Sequence, residues 1–123
     1  MPIEHTVPTI LIVEDEPLVR MHGVDILEDA GFQVREASTA DEALIALEDG
    51  TTFHVLFSDI DMPGSMNGMA LARIVHQRWP AIRVLMTSGN PLIEAEPIPG
   101  DGKFLRKPWT SERLVECLKV LIG

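Results

Sequence analysis

Cysteine is nearly absent from this sequence, since Cys117 is the only one among 123 residues. An internal disulfide is therefore excluded, which agrees with a reducing compartment. No apolar run approaches the roughly 20 residues that a membrane-spanning helix needs. The first residues also lack the basic and apolar regions of a secretory leader. We therefore expect a cytoplasmic protein without a membrane partner.

Positive charge is scarce, because 10 Lys and Arg residues stand against 19 Asp and Glu and leave a formal net charge of −9. Binding to nucleic acid backbones needs clustered positive charge, so we expect no nucleic acid partner. Repeats and low-complexity tracts are also lacking, and the 46% hydrophobic content is typical of a compact folded chain. The length predicts one domain over residues 1–123, with its core at about 8–122 and no effector domain.

Short β-rich runs alternate with helical patterns along the chain. Three of these runs are predominantly apolar, as in strands that are covered on both faces of a parallel sheet. Two weaker runs complete the set, and the predicted strands are 9–13, 32–36, 54–58, 82–87 and 103–106.

The predicted helices lie between the strands and repeat apolar residues at helical spacing. They end at glycine or before proline, and they span 17–30, a segment from a Ser38 or Thr39 cap to Gly50, about 69–78, and about 111–121. This alternation predicts right-handed crossovers, with helices on both faces of a five-stranded parallel α/β sheet.

The stretch 89–102 interrupts the alternation. Pro97, Pro99, Gly100 and Gly102 fall in its last six residues. Because proline and glycine break helices, we expect any helix there to be limited to a turn or two around 92–96.

Chemically reactive side chains collect where the predicted strands end. Acidic residues follow the first strand (Glu14, Asp15, Glu16) and the third (Asp59, Asp61), Ser88 follows the fourth, and Lys107 follows the fifth. In a doubly wound sheet these ends meet at one crevice, where ligands bind. Several carboxylates gathered there would repel one another unless a cation sat among them, and Mg²⁺ is commonly held by one or two carboxylates and waters.

This combination of groups suits phosphoryl transfer. Asp59 can attack as a carboxylate nucleophile and become an aspartyl phosphate. Mg²⁺ and Lys107 can neutralise the phosphoryl oxygens, and Ser88 can donate a hydrogen bond to a third oxygen. We therefore expect Asp59 to stand at the tip of its strand, where an incoming phosphoryl group can reach it in line.

The ordered motifs "ILIVEDE", "SDIDMPG", "NG", "LMTSG" and "FLRKPW" resemble those of bacterial response regulator receiver domains over essentially the whole chain. The resemblance implies a flavodoxin-like fold with strand order 2-1-3-4-5 and a role in two-component phosphorelay signalling. It identifies Asp59 as the phosphoacceptor and Lys107 as the family's lysine. It also implies that Mg²⁺ is bound by Glu14, Asp15, Asp59 and the backbone carbonyl of Asp61.

The resemblance also implies a switch. Ser88, rather than neighbouring Thr87, matches the family's switch hydroxyl, and Phe104 matches the aromatic residue whose rotamer changes on activation. Pro108 is the candidate for a cis peptide bond. The implied phosphodonor is a sensor histidine kinase or a histidine phosphotransfer protein. The implied protein is a signalling phosphoacceptor that assists its own phosphorylation and dephosphorylation, not a turnover enzyme.

Two alternatives stay open at this point. The Asp59-Ile60-Asp61 stretch also resembles the signature of haloacid-dehalogenase-type phosphatases, although no acidic pair follows Lys107 as it does in those enzymes. The stretch 89–102 replaces much of the receiver family's usual fourth helix, which we expect to be short or irregular here. A receiver-shaped adaptor that is not phosphorylated is therefore the second alternative.

Overall fold

The computed structural model of the chain describes residues 7–64, 66–91, 93 and 97–123. These residues form five strands and four helices, which alternate except that the fifth strand follows the fourth without a described helix between them. The strands are β1 (Thr9–Val13), β2 (Gln33–Ala37), β3 (Val55–Asp59), β4 (Arg83–Ser88) and β5 (Lys103–Arg106). The helices are α1 (Pro17–Asp29), α2 (Ala40–Glu48), α3 (Gly68–Arg78) and α4 (Ser111–Ile122).

All strand pairs are parallel, and the sheet order is β2-β1-β3-β4-β5. The predicted fold class and strand order are confirmed. The chain runs from β1 outward to β2 on one side and then returns to place β3 on the other side of β1. The direction in which strands are added to the sheet therefore reverses at β1. The crevice beyond the carboxyl ends of β1 and β3 is thus the position where such sheets bind ligands.

The core has two sides because successive residues of a strand point to opposite faces. Leu11 and Leu56 pack on one face, in a cluster that includes α2 and α3 residues. Ile12 and Phe57 pack on the other face, in a cluster with α1 and α4 residues such as Leu114. Helices therefore cover both faces of the sheet, as the apolar runs predicted, and the strand ends are left to carry the polar site.

Side-chain caps fix where three helices begin. Thr39 accepts a hydrogen bond from the Glu42 amide, so Thr39 is the cap of α2, while the Ser38 hydroxyl donates to the Glu42 carboxylate. Asn67 accepts from the amide of Ala70, which starts α3 one residue earlier than predicted. Thr110 caps α4 in the same way.

Three predicted strands are displaced by one residue at each end. The second strand is Gln33–Ala37 instead of 32–36, the third is Val55–Asp59 instead of 54–58, and the fourth is Arg83–Ser88 instead of 82–87. The difference in the third strand matters for the site. Asp59 pairs with Thr87 and is therefore the last hydrogen-bonded residue of β3, held by the sheet itself.

The stretch 89–102 contains no strand or helix among those of its residues that the structure describes. The predicted helical turn around 92–96 falls on residues of which all but Ile93 lie outside the described part. Within the described part, the Ile93 amide donates to the carbonyl of Asn90 at 3.1 Å, which closes a tight turn after β4. In the described part of the chain, no helix combines the length and apolar character needed to span a bilayer.

Candidate functional site

Three carboxylates meet at the crevice between β1 and β3. Each of Glu14, Asp15 and Asp59 offers a carboxylate oxygen within 4.8 Å of those of the other two, and we call these residues the acidic cluster. Glu14 is only 1% exposed and Asp59 only 5% exposed. Oxygen donors at this spacing fit a hard divalent cation. The predicted convergence of the first and third strand ends is therefore present.

Lys107 follows β5, the edge strand, and its side chain reaches the acidic cluster. Its Nζ atom lies 2.5 Å from Oε1 of Glu14 and 2.9 Å from Oδ2 of Asp59, so one ammonium group bridges two buried carboxylates. Its backbone amide donates to the carbonyl of Ser88 at 3.0 Å, which ties the end of β5 to the end of β4. The peptide bond that follows, to Pro108, is cis.

Burial dominates the electrostatics of this group. Burial raises the pKa of Glu14 and of Asp59, and the hydrogen bonds from Lys107 only partly oppose the effect. Burial also acts to lower the pKa of Lys107, but its bonds to the two carboxylates and their charges together raise it. Lys107 is paired with two of the three carboxylates of the acidic cluster, so with all three ionised the cluster has an excess of negative charge that favours a further cation.

Two hydrogen bonds that were not predicted from the sequence hold Glu14 in place. Its Oε2 atom accepts the amide of Glu16 at 3.0 Å, and its carbonyl accepts Nη1 of Arg20 at 2.8 Å. Arg20 also pairs with Glu36 of β2 at 3.0 Å. The only sequence signal was a basic residue near the N-terminus of α1, where the helix dipole disfavours positive charge. Arg20 thus anchors the loop that carries the acidic cluster.

Ser88 lies at the end of β4, but its hydroxyl is directed to Asp61. Oγ of Ser88 donates to Oδ2 of Asp61 at 2.8 Å and accepts the amide of Asn90 at 3.0 Å. The amide of Asp61 in turn donates to Oδ1 of Asp59 at 3.1 Å. From the sequence, only the backbone carbonyl of Asp61 is expected to bind the metal, and that role stays a prediction. The hydrogen bond from Ser88 to the carboxylate of Asp61 was not predicted.

Thr87, next to Ser88, has a different environment. Its hydroxyl accepts Nε1 of Trp109 at 2.8 Å in the buried interior. Trp109 in turn packs against Phe57 and stands close to Lys107, whose Nζ lies 6.0 Å from the indole centroid. This bond fastens the segment that follows Lys107 to β4.

Gly68 lies very close to the backbone of Asp59, a member of the acidic cluster. An ideal Cβ atom on Gly68 would lie 1.8 Å from the carbonyl oxygen of Asp59, and the Gly68 amide donates to the carbonyl of Ile60 at 3.0 Å. Only glycine permits this approach. The "NG" pair ahead of a helical pattern was the available sequence signal.

Phe104 is half-buried on β5 and packs with Met69, Ala72, Val84 and Met86 on the α3 side of the sheet. The guanidinium carbon of Arg106 lies 5.2 Å from its ring centroid. Phe104 therefore belongs to this small apolar cluster, and its role as a switch stays a prediction.

Comparisons with known proteins agree on one family. The family model described as "Response regulator receiver domain" matches residues 10–119. The response regulator receiver protein CpdR of Brucella abortus (strain 2308) is 33% identical over 118 residues, which cover 93% of this chain and 97% of that protein. Two longer relatives are the sensor kinase CckA of the same organism and the nitrogen assimilation regulatory protein NtrX of Azorhizobium caulinodans, each 36% identical. The matches cover 93% and 86% of this chain but only 12% of CckA and 24% of NtrX.

Solved structures show the same similarity in three dimensions. A response regulator receiver protein from Sinorhizobium medicae WSM419 superposes with a TM-score of 0.85 at 28% identity, covering 94% of both chains. The chemotaxis response regulator CheY4 of Vibrio cholerae superposes with a TM-score of 0.82 at 27% identity, covering 94% of this chain and 99% of the other.

Proposed function

This chain belongs to the response regulator receiver family, and from that premise we propose that Asp59 accepts a phosphoryl group from a phosphohistidine of another protein. The observation that carries the proposal is the bridge from Lys107 to both Glu14 and Asp59 at the switch point of the sheet. The family is a signalling module, so we infer a switch in protein contacts as the outcome.

The proposed step exchanges one bond to phosphorus for another. A carboxylate oxygen of Asp59 attacks the phosphorus atom and forms a P–O bond, while the P–N bond to the donor histidine breaks and its electron pair returns to the imidazole. Asp59 stands at the end of β3, so its attack can be in line with the leaving nitrogen. The ammonium of Lys107, already 2.9 Å from Asp59, is positioned to neutralise charge on the transferred oxygens.

We propose that the acidic cluster holds Mg²⁺, with Glu14, Asp15 and Asp59 supplying carboxylate oxygens and Asp61 its backbone carbonyl. The fit rests on the donor set, which is all oxygen, with carboxylate atoms within 4.8 Å of one another. When bound, the ion would supply Lewis-acid neutralisation of phosphoryl oxygens. The bond from Glu16 to the Glu14 carboxylate and the anchor from Arg20 keep that donor set in place.

The phosphodonor that we propose is a sensor histidine kinase or a histidine phosphotransfer protein.

We propose one receiver unit over about 8–122, which contains the matched residues 10–119. The cytoplasmic location stays a prediction. No observation in the fold or in the comparisons favours the haloacid-dehalogenase-type phosphatase, in which the carboxylate of Asp61 would act as a general acid; here that carboxylate accepts a hydrogen bond from Ser88.

The test is phosphorylation by a small phosphodonor. With phosphoramidate and Mg²⁺, the wild-type chain should gain one phosphoryl group in an intact-mass measurement, and Asp59→Ala should gain none. Asp25→Ala, which removes an exposed acid from α1, is the matched control and should be labelled like the wild type. Undiminished labelling of Asp59→Ala would refute the proposal. Turnover of a phosphate ester that is abolished by Asp61→Ala would instead favour the phosphatase.

A further inference from the structure

Arg106, the last residue of β5, donates hydrogen bonds to the turn that follows β4. Its Nη1 donates to the carbonyl of Asn90 at 2.8 Å, and its Nη2 donates to the carbonyl of Ile93 at 2.6 Å. The same Asn90 carbonyl accepts the Ile93 amide at 3.1 Å. The rigid fork of a guanidinium suits two acceptors at a fixed separation. Arg106 therefore fixes both ends of one tight turn.

That turn carries a direct contact to Ser88. The amide of Asn90 donates to Oγ of Ser88 at 3.0 Å, and the Ser88 hydroxyl donates its own hydrogen bond to Oδ2 of Asp61 at 2.8 Å. A hydroxyl has only one proton to donate. While the Asn90 amide and the Asp61 carboxylate both engage Ser88, its proton is not available to a group on Asp59.

We propose that Arg106 is a positioning residue for the Ser88 hydroxyl, which it holds toward Asp61 by fixing the turn from Asn90 to Ile93. The proposal rests on the proposed function, because it concerns how Ser88 is released when Asp59 carries a phosphoryl group. Ser88 and Arg106 are register partners in the β4–β5 pair, so the restraint and the restrained residue sit side by side on the sheet.

The restraint opposes phosphorylation. A phosphoryl group on Asp59 presents new charged acceptor oxygens, and Ser88 must leave Asp61 to reach them. The Asn90 amide must then follow the hydroxyl or lose its acceptor, and Arg106 resists both movements. Weakening the grip of Arg106 should therefore make a phosphoryl mimic bind more tightly.

The experiment measures beryllofluoride affinity at saturating Mg²⁺ in Arg106→Lys and Arg106→Ala. Lysine keeps the charge but cannot hold two carbonyls with a planar fork. We expect both variants to bind beryllofluoride about two- to tenfold more tightly than the wild type. This change in affinity corresponds to the net contribution of about one hydrogen bond. Arg113→Lys makes the same exchange at an exposed position on α4 and should not change the affinity.

A second background separates positioning from a merely structural role. In Ser88→Ala there is no hydroxyl to position, so adding Arg106→Lys should leave the beryllofluoride affinity of Ser88→Ala unchanged. An equal gain in both backgrounds would overturn the proposal, as would an unchanged or weaker affinity in the single variants.

Amide hydrogen exchange tests the restraint without any phosphoryl mimic. In Arg106→Lys the Asn90 amide should exchange several-fold faster than in the wild type, while amides in the centre of β4 keep their rates. Failure of the wild type to bind beryllofluoride would sink the proposed function, and the exchange rate of Asn90 would still decide whether Arg106 positions the turn. An unchanged rate at Asn90 would overturn the inference.

Discussion

Replacing Gly68 with alanine tests how tightly α3 is packed against the proposed phosphoacceptor. The new Cβ would lie 1.8 Å from the carbonyl oxygen of Asp59 and 2.8 Å from its carbonyl carbon. Carbon–oxygen contacts are comfortable at about 3.3 Å, so about 1.5 Å must be opened. β3 is bonded on both sides, to β1 and β4, and so the movement falls on the start of α3.

The magnitude follows from that displacement. Forcing an extra methyl group into a packed position typically costs about 1–3 kcal/mol. For a domain of this size we convert that cost into a fall in Tm of roughly 4–12 °C. The shift also breaks the bond from the Gly68 amide to the Ile60 carbonyl, next to Asp59. Since misplacing a reacting group by about 1 Å can cost 100-fold in rate, we expect phosphorylation to slow by about tenfold or more.

Thermal unfolding and the rate of labelling by phosphoramidate are the two assays. Gly89→Ala is the matched control, because its Cβ would meet Lys107 side-chain carbons at 3.6 and 3.7 Å, which is ordinary contact. Its Tm should stay within about 2 °C of the wild type. If Gly68→Ala also unfolds within about 2 °C of the wild type and is labelled at the normal rate, the steric reasoning is wrong.

Three further predictions concern the acidic cluster and its support. Because burial raises the pKa of Asp59 above 3.8, stability present at lower pH is lost as pH rises through the folded-state value. Without Mg²⁺, Asp59→Asn should therefore raise Tm at pH 7, by a margin that fades toward pH 4. Trp109→Phe strands the buried Thr87 hydroxyl and should cost about 1–3 kcal/mol in urea unfolding, partly restored by adding Thr87→Val. Glu14→Gln should weaken Mg²⁺ binding about tenfold or more, measured by tryptophan fluorescence in a Trp79→Phe background that leaves Trp109 as the fluorophore, and unchanged binding would exclude Glu14 as a ligand.

Much of the fold was predictable because the relevant physics is local. Residues 10–13, for example, are all apolar, which is the pattern of a strand buried on both faces, and the helical periodicity between such runs favours parallel pairing. The boundary errors at β2 and β3 came from residues such as Ala37 and Asp59, which strand propensity disfavours and sheet pairing retains.

Residue order alone was also enough to predict which reactive groups share the crevice. Parallel strands place their carboxyl ends on one edge, so Glu14, Asp59 and Lys107 had to approach one another once the strands were identified. The direction in which each side chain points depends on three-dimensional packing. The Ser88 hydroxyl donates a hydrogen bond to Asp61, and Arg106 donates hydrogen bonds to two backbone carbonyls of the turn after β4. These contacts depend on side-chain rotamers and on the path of a loop, which residue type and spacing do not encode. Several side-chain orientations are compatible with the same sequence pattern until the neighbouring strands and loops pack around the side chain.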